Sequence, residues 1–348
     1  MKGKIGGLLV VFLGLLLVAA GLVVKLWLVP TMAVWPDDVD TTRHYEGTLG
    51  TMLNPAALET MDFANLFYSD VPVVIDRHVT TEAVDGDKAL VKEQIQVKGP
   101  DGQPLAGLNT DRDGLYTTYW YAIDRKTTEE VRNFTDNAGV DDNRQGLVIG
   151  FPIGTEKMDY SGWSDDLQML MPVQFVGVEE HEGISTYHFR SDSDPQPLQD
   201  PAVLAMFPQY LPKDLITGLA PMLGLPAEVL QGLATLLPRL PDPIPLSYVY
   251  SYATEYWVEP TTGMLIDYTK DETRALSLGG QTVDVFHMTY QATDQSIADA
   301  KDDAKTPKML LDLFEWLPWV VLGVGALVAL GGAFMLIRKR EPAAAAAS

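Results

Sequence analysis

The chain has 348 residues, of which 47% are apolar and 21% are charged, and a chain of this length and composition buries a core. Its 47 acidic and 25 basic residues give a net charge of −22. That charge excludes nucleic acid as an expected partner, because phosphates are repelled by such a surface. The absence of cysteine excludes disulfides, thiolate metal sites and cysteine nucleophiles.

An apolar segment without charge lies near the N-terminus. It runs over the 20 residues from 5 to 24, follows Lys2 and Lys4, and is long enough to cross the ~30 Å hydrocarbon core of a bilayer. A cleaved signal peptide is the alternative, because residues 19–21 are small. The segment is longer than the apolar region of a typical signal peptide, so we expect an uncleaved anchor.

A second apolar run, residues 317–337, is followed by Arg338, Lys339 and Arg340. In both runs the basic residues stand at the end nearer the chain terminus. This predicts that both termini are cytoplasmic and that the main domain lies outside the plasma membrane, in the cell envelope. Four tryptophans stand where an outer interfacial belt is expected: Trp27, Trp35, Trp316 and Trp319.

These features predict five regions. They are a cytoplasmic N-terminus (1–4), a first transmembrane helix (5–29), an extracytoplasmic β-rich domain (30–316) with an apolar, proline-rich helical insertion (195–245), a second transmembrane helix (317–337), and a basic, alanine-rich cytoplasmic tail (338–348).

The acidity belongs to the predicted outer domain. Without the charged residues at the two ends, the chain has 20 basic and 46 acidic residues. This excess keeps a domain soluble, and it could also attract cations or a basic partner. No acidic run confines the charge to one face, which favours the solubility interpretation.

Small residues recur on both predicted spans. On each helix their spacing places them near one stripe, and small residues let helix backbones approach closely in lipid. Glycine and alanine are also simply common in spans, but we expect the two helices to pair. The residues expected at the contact are Gly7, Gly14, Gly21, Gly325, Ala329 and Ala333.

The middle of the chain alternates polar and β-branched or aromatic residues between short turns, which predicts antiparallel strands. The fold class is therefore mainly β, a large antiparallel sheet or barrel-like domain with a short-helix insertion and one transmembrane helix at each end. The predicted strands are residues 43–53, 73–84, 89–98, 115–124, 174–180, 184–190, 247–259, 264–269 and 282–291. A polar helix over 294–305 should lead to the second span.

The insertion holds 11 of the 23 prolines, and residues 201–241 carry only four charges. Asp200 followed by Pro201 is typical of a helix start, so we expect two or three short helices. They could form a cap packed on the sheet, or an exposed surface that binds an apolar ligand or partner. The residues expected to line that surface are Leu215, Ile216, Leu219, Met222, Leu223, Leu225, Val229, Leu230, Leu233, Leu236 and Leu237.

Motifs for chemistry are mostly absent. The sequence contains no nucleophile or zinc-protease motif and no cofactor fingerprint, so we expect no enzyme, no catalytic residue and no cofactor. His181 and His188 flank a hairpin among glutamates, but their spacing is not a metal signature, and exposed strand residues are the better interpretation. Asn109, Asp111 and Asp113 precede Gly114 as in a calcium loop, yet Trp120 stands where the bidentate glutamate belongs. An Asp-Gly turn is favoured there.

Three segments stand out: residues 151–157 with Tyr160 and Trp163, residues 177–187, and residues 256–263, which contain the phrase Trp-Val-Glu-Pro-Thr-Thr-Gly. Together they resemble the actinobacterial porin PorA family of envelope proteins. The likeness extends over nearly the whole chain. It implies an envelope protein with channel formation, and it implies no catalytic residue.

Two functions follow as expectations. The resemblance implies a porin-like protein, a homo-oligomer if it is a channel, with cation preference from its acidic domain. Neither predicted span contains a charged residue within its apolar run, and the strands lack the lipid-facing pattern of membrane barrels. The alternative is a membrane-anchored domain that binds or conducts lipid or another apolar envelope ligand.

Overall fold

Strands dominate the middle of the chain because β-branched and aromatic residues alternate with polar ones there. The structure, a computed structural model, describes residues 2–105, 115–132, 134, 139–220, 227–278 and 281–337. Contacts divide the chain into a helical unit, residues 1–34 with 305–348, and a β-domain, residues 35–304. The mainly β fold with apolar helices at both ends confirms the predicted fold class.

Ten strands form one antiparallel sheet, in the order β4-β3-β2-β1-β12-β11-β10-β7-β6-β5. The first and last strands of the chain, β1 and β12, therefore pair at the middle of the sheet. A separate pair, β8 and β9, lies in the insertion. The strands are β1 Asp40–Leu53, β2 Phe67–Asp85, β3 Lys88–Lys98, β4 Tyr116–Asp124, β5 Tyr160–Ser164, β6 Met169–His181, β7 Ile184–Pro197, β8 Tyr210–Leu211, β9 Ile244–Pro245, β10 Ser247–Glu259, β11 Met264–Leu278 and β12 Gln281–Ala292.

The sheet curls until its edge strands β4 and β5 are joined through a clasp, which is formed by residues 129–131 and 146–147. On one side Val131 N donates to Ala122 O at 2.7 Å. On the other side Leu147 N donates to Ser161 O, and Trp163 N to Leu147 O, both at 2.9 Å. The β-domain is thus a single curled sheet, not the two packed sheets of a sandwich.

The helices are α1 Lys2–Val23, α2 Val29–Met32, α3 Pro55–Thr60, α4 Pro201–Leu204, α5 Lys213–Leu219, α6 Ala227–Leu236 and α7 Asp294–Ile337. A π-helical turn, Val24–Leu28, joins α1 to α2. Two described segments, Ile5–Met32 and Asp294–Ile337, are long and apolar enough to cross a membrane. The polar helix and the second span expected from sequence are one continuous helix, α7, which contains Pro307 and Pro318.

The insertion begins as its sequence predicts, because the Asp200 carboxylate caps α4 and accepts from Ala202 N at 2.8 Å. Beyond it, α5 and α6 pack together with β9 to form a cap. The buried side chains of this cap are Ile216, Ala220, Leu233, Leu237 and Ile244.

The two faces of α6 predict different costs for the same substitution. Leu233 is 7% exposed, whereas Leu236 is 39% exposed. We expect Leu233→Ala to lower the free energy of unfolding by about 2–5 kcal/mol, since it leaves a cavity in the cap. Leu236→Ala should cost less than about 1 kcal/mol. Chemical denaturation of both variants measures this, and equal large losses would contradict a one-sided α6.

Candidate functional site

The concave face of the curled sheet carries polar residues where a solid core would carry apolar ones. Side chains on one face of a strand recur every second residue. On β11 the inward set includes Lys270, Glu272 and Arg274 between Tyr268 and Leu276, and these five residues line cavities inside the β-domain. The interior is therefore hollow around a charged middle.

One cavity, the tyrosine chamber, has a volume of about 280 Å³. Its aromatic walls pack edge to face, with the rings of Tyr45 and Tyr268 5.8 Å apart and those of Tyr256 and Tyr268 5.4 Å apart. Trp163 of β5 also lines it. The tyrosines that give the chamber its name are Tyr45, Tyr119, Tyr121, Tyr250, Tyr252, Tyr256, Tyr268 and Tyr290.

A second cavity, the central chamber, has a volume of about 310 Å³ and lies between the sheet and α4. It shares Tyr119, Asp166 and Lys270 with the tyrosine chamber. Its apolar wall combines Met206 and Phe207 of the insertion with residues of the sheet. The two chambers are neighbours along the interior.

A third cavity, the cap pocket, has a volume of about 80 Å³ and lies beneath α5 and α6. Its described lining is hydrocarbon except for the Tyr248 hydroxyl, which donates to Pro208 O at 2.6 Å. Leu53 lines both this pocket and the central chamber. The interior thus changes from polar and aromatic at one end to apolar at the other. The remaining described lining residues of the cap pocket are Leu58, Leu66, Phe67, Leu211, Ile216, Ala220, Leu233, Leu246, Leu276, Leu278, Val283 and Val285.

The charges of the middle neutralise one another. Glu272 contacts Lys270 Nζ at 3.1 Å and accepts from the Tyr250 hydroxyl at 2.9 Å. Arg274 donates to both carboxylate oxygens of Asp166, at 2.7 and 2.9 Å. Burial acts to raise the pKa of Glu272, but the cations of Lys270 and Arg274 outweigh it and hold that pKa at about 2. Glu272 is therefore an anion at every physiological pH.

Two further ion pairs stand near the clasp end of the interior. Arg77 pairs with Glu93, which also accepts from the Tyr121 hydroxyl at 2.7 Å. Arg144 pairs with Asp165 at 2.8 Å. Each described charged side chain that lines the tyrosine chamber thus has a partner of opposite charge. The described lining of the chamber therefore offers an ion no unpaired counter-charge.

Glu130 of the clasp is a half-buried carboxylate with one buried oxygen. Its Oε1 accepts from Ala122 N at 2.9 Å, but its Oε2 has no hydrogen-bond partner among the described residues. Burial is the main reason why the pKa of Glu130 rises from its ordinary 4.5 to about 7. The clasp therefore contains a carboxyl that gains and loses its proton near neutral pH.

The insertion residues predicted from sequence divide by helix face. Ile216, Leu233 and Leu237 are buried, Leu215 and Leu230 are half-buried, and Leu236 is exposed. Leu219 and Val229 lie in α5 and α6, while Met222, Leu223 and Leu225 fall outside the described residues. Of this set, Ile216 and Leu233 line the cap pocket.

The other sequence-based sites fare differently. Asn109, Asp111 and Asp113 lie outside the described residues. His181 and His188 both stack on Trp257, with ring centroids 4.7 and 4.8 Å from the indole. His188 also contacts Glu179 at 2.9 Å and Glu255 at 2.5 Å. Among the residues that the structure describes, no group of three or more His, Cys, Asp or Glu side chains could hold a metal ion.

Close approach of α1 and α7 occurs at glycines of the predicted stripe. A Cβ on Gly14 would lie 2.6 Å from Gly325 O and 2.7 Å from the Cα of Ala329. A Cβ on Gly21 would lie 2.9 Å from Leu322 Cγ. These distances leave no room for a side chain.

The opposite end of this helix contact uses Gly7 and Gly332. A Cβ on Gly7 would lie 2.8 Å from a methyl of Leu336, and one on Gly332 would lie 2.6 Å from Val11 N. Gly332 is buried whereas Ala333 is half-buried. The small-residue pattern selected Ala333 and missed its neighbour.

The corner between β10 and β11 joins two of the sequence segments singled out above. The fully buried Glu259 carboxylate accepts from Thr262 N at 2.9 Å and from Thr262 Oγ1 at 2.8 Å. Gly263, with φ of +71°, sits so close to residues 151–157 that a Cβ would lie 2.5 Å from Phe151 O. The Thr-Gly phrase is therefore required for the corner to dock against Phe151.

Comparison with known proteins identifies the family. The family model described as Porin PorA matches residues 6–334. The chain belongs to the porin PorA family. It is also similar to Porin PorA of Corynebacterium resistens, at 21% identity, with 98% of each chain covered. The resemblance predicted from the three sequence segments is confirmed.

PorA family membership, together with the apolar terminal helices, indicates a membrane protein of the cell envelope. It also indicates a channel-like protein rather than an enzyme. Sequence reasoning missed the interior charges of this family member. The signal for them is Lys270, Glu272 and Arg274, three charges spaced by two residues on one face of a strand.

The clasp carboxyl predicts a pH dependence of stability. Because folding raises the pKa of Glu130, its stabilising contribution is full below pH 4.5 and is lost as the pH rises through about 7. The free energy of unfolding of Glu130→Gln, relative to that of the wild type, should therefore rise by on the order of 2–3 kcal/mol across that pH interval. Denaturation across this pH range measures it, with the exposed neighbour variant Glu129→Gln as the control. Parallel curves for Glu130→Gln and the wild type would contradict the assignment.

Proposed function

We propose that this PorA family member is a membrane-anchored envelope protein whose β-domain takes an alkyl chain into its interior. The observation that carries the proposal is the row of three cavities along the concave face, which ends in the hydrocarbon-lined cap pocket. Ligand sites are concave, mostly apolar and furnished with a few placed polar groups. The row of cavities has these features, because it lies on the concave face and combines an apolar pocket with chambers that carry polar groups.

Volume and lining both suit a chain-like ligand. The tyrosine and central chambers, at about 280 and 310 Å³, lie near the lower end of the usual range for binding cavities. Packed cores hold few voids larger than a water molecule, so adjoining cavities of this size are unlike ordinary packing. A flexible single chain can follow such a row, whereas a rigid, bulky ligand cannot.

For the topology, the proposal places both termini in the cytoplasm and the β-domain outside, with residues 5–29 and 317–337 as spans. Basic residues flank the outer ends of both spans. Trp27, Trp316 and Trp319 are 67%, 52% and 60% exposed on the helices, as interfacial anchors would be. Lys25 Nζ lies 3.2 Å from the ring centroid of Trp319, a contact suited to the level of the lipid headgroups.

Protease accessibility tests this topology. Trypsin added to intact cells that express a chain with an epitope tag at each terminus should digest the β-domain and leave both tags attached to membrane-protected fragments. Digestion of the β-domain only after lysis, or loss of a tag from intact cells, would contradict the topology. A free N-terminus beginning near residue 21 would instead indicate a cleaved signal peptide.

Channel formation is the second candidate, and the name of the family and of its C. resistens member favours it. Such a pore would require several copies, because the described spans of one copy carry no charged residue on residues 5–24 or 317–337. The excess of acidic residues in the β-domain would give it a preference for cations.

Filling the cap pocket separates the two candidates. Val285 is 6% exposed and lines the pocket, whereas Val176 is 53% exposed on β6. Val285→Phe should weaken binding of 1-dodecanol to the full-length protein by about 10-fold, the value of roughly two buried methylenes. Val176→Phe, the matched control, should leave binding unchanged. Native mass spectrometry from detergent counts the bound molecules.

The same three proteins are then reconstituted in planar bilayers. Absence of 1-dodecanol binding by the wild type, together with reproducible cation-selective conductance, would overturn the binding proposal in favour of the channel. If Val285→Phe weakens 1-dodecanol binding and the wild type gives no conductance in bilayers, the channel would be excluded as the principal activity.

A further inference from the structure

Lys270 stands where the two larger cavities meet. It lines both the tyrosine chamber and the central chamber, together with Tyr119 and Asp166. Its side chain extends from β11 into the interior of the curled sheet, and 21% of that side chain is accessible. Side chains stand roughly perpendicular to a sheet, so the part of Lys270 that reaches furthest into the interior is its ammonium group. The accessible surface of Lys270 is therefore surface of the two chambers.

The ammonium group of Lys270 has donors to spare. It carries three N–H bonds, and among the described residues its ion-pair partner is Glu272, whose Oε2 lies 3.1 Å from Nζ. The same oxygen also accepts from the Tyr250 hydroxyl at 2.9 Å. Burial acts to lower the pKa of Lys270, but interactions led by the one with Glu272 outweigh it and raise that pKa. Lys270 thus stays protonated, and one shared carboxylate oxygen does not use all of its N–H bonds.

Two neighbouring cations of the interior are bonded more fully. Arg274 donates two hydrogen bonds to Asp166, at 2.7 and 2.9 Å. Arg144 donates to Asp165 at 2.8 Å and to a backbone carbonyl of β4 at 2.9 Å. Each guanidinium group is therefore held at two points, whereas Lys270 is held at one.

The charges around Lys270 limit the ligand group that it can receive. Glu272 and Asp166 already neutralise Lys270 and Arg274. An incoming carboxylate would lose its water without finding a free counter-ion, and burying an unpaired charge is strongly unfavourable. An incoming ammonium group would in addition be repelled by Lys270. An uncharged oxygen accepts a hydrogen bond from Lys270 without adding a charge.

The position of Lys270 between two chambers also limits where that oxygen lies in the ligand. A fatty acid or alcohol has its polar group at one end and would leave one of the two chambers without ligand. An ester carbonyl has carbon atoms on both sides. The central chamber leads to the apolar cap pocket through Leu53, so the acyl chain fits that side and the alcohol part fits the tyrosine chamber.

We propose that Lys270 donates a hydrogen bond to the carbonyl oxygen of an uncharged fatty acyl ester and so fixes where the ester group lies in the interior. This inference rests on the proposed function, because it assigns the acyl chain to the central chamber and the cap pocket. The alcohol part occupies the tyrosine chamber.

Three probes of similar length test the assignment. Ethyl dodecanoate is an uncharged ester, its isomer tetradecanoic acid is ionised at pH 8, and tetradecane has no oxygen. Each is titrated separately into the full-length protein in detergent at that pH, and native mass spectrometry counts the bound molecules. The wild type should bind ethyl dodecanoate about 10-fold more tightly than either of the others, the value of one hydrogen bond from a charged donor.

The variant Lys270→Met/Glu272→Gln removes the donor together with its counter-charge, and the amide still offers the Tyr250 hydroxyl an acceptor. It should bind ethyl dodecanoate about 10-fold more weakly than the wild type and tetradecane equally well. The matched control is Lys98→Met/Asp76→Asn. Its lysine side chain is also 21% accessible but does not line the three cavities, so ester binding should be unchanged.

A second measurement needs no variant. The ester carbonyl is labelled with carbon-13, and its infrared stretch is recorded in the complex with the wild type. A hydrogen bond weakens the C=O bond, so the stretch should lie at a lower wavenumber in the complex than in hexadecane.

The outcomes separate the two proposals. Failure of all three probes to bind would overturn the proposed function and this inference with it. Ester binding no tighter than that of tetradecane, a preference for tetradecanoate, or a carbonyl stretch like that in hexadecane would overturn the inference and leave the proposed function standing. Equal losses of ester binding in the two double variants would also overturn the inference, because the loss would then not depend on the cavities.

Discussion

Glu272 lies between Lys270 and Arg274 on the concave face of the sheet, and the rest of the β-domain is built around the need to keep these charges paired. Removing one member of a buried ion pair costs several kcal/mol, about 3–5 in measured cases. Asp166 reaches Arg274 from the connection between β5 and β6, so the pairing also ties the far edge of the sheet to its middle. A sheet with such a middle cannot collapse into a solid apolar core.

The need to keep these charges paired explains why the two ends of the interior differ in polarity. Near the clasp, aromatic rings and paired charges line a chamber, while under the cap the walls are hydrocarbon. The insertion supplies one side of those apolar walls and the sheet supplies the other. The clasp is held by a few backbone hydrogen bonds, in contrast to the continuous ladders between neighbouring strands, and it contains Glu130. The proposed function assigns anchoring and binding to separate parts of one chain.

Much of the fold could be predicted from sequence because alternation and turns are local signals. β10 was predicted with its observed bounds, and Asp200 marked the start of α4. The strand β5 was missed because its five residues, Tyr160–Ser164, are too short to show a period. The cavities were not predictable, since Tyr250 and Lys270 meet only through the pairing of β10 with β11 and the curl of the sheet. The unpartnered oxygen of Glu130 has no sequence signal, because an unsatisfied group is defined by its surroundings.

The central claim is that the hollow of the curled sheet holds an alkyl chain. Locating a heavy atom at the end of such a chain tests it most directly. The full-length protein is crystallised with 12-bromododecan-1-ol, and the anomalous signal of bromine is mapped. The account predicts a bromine peak in the cap pocket, near Leu276 and Val283. Bromine found only along α1 and α7, with an unfilled interior, would contradict it.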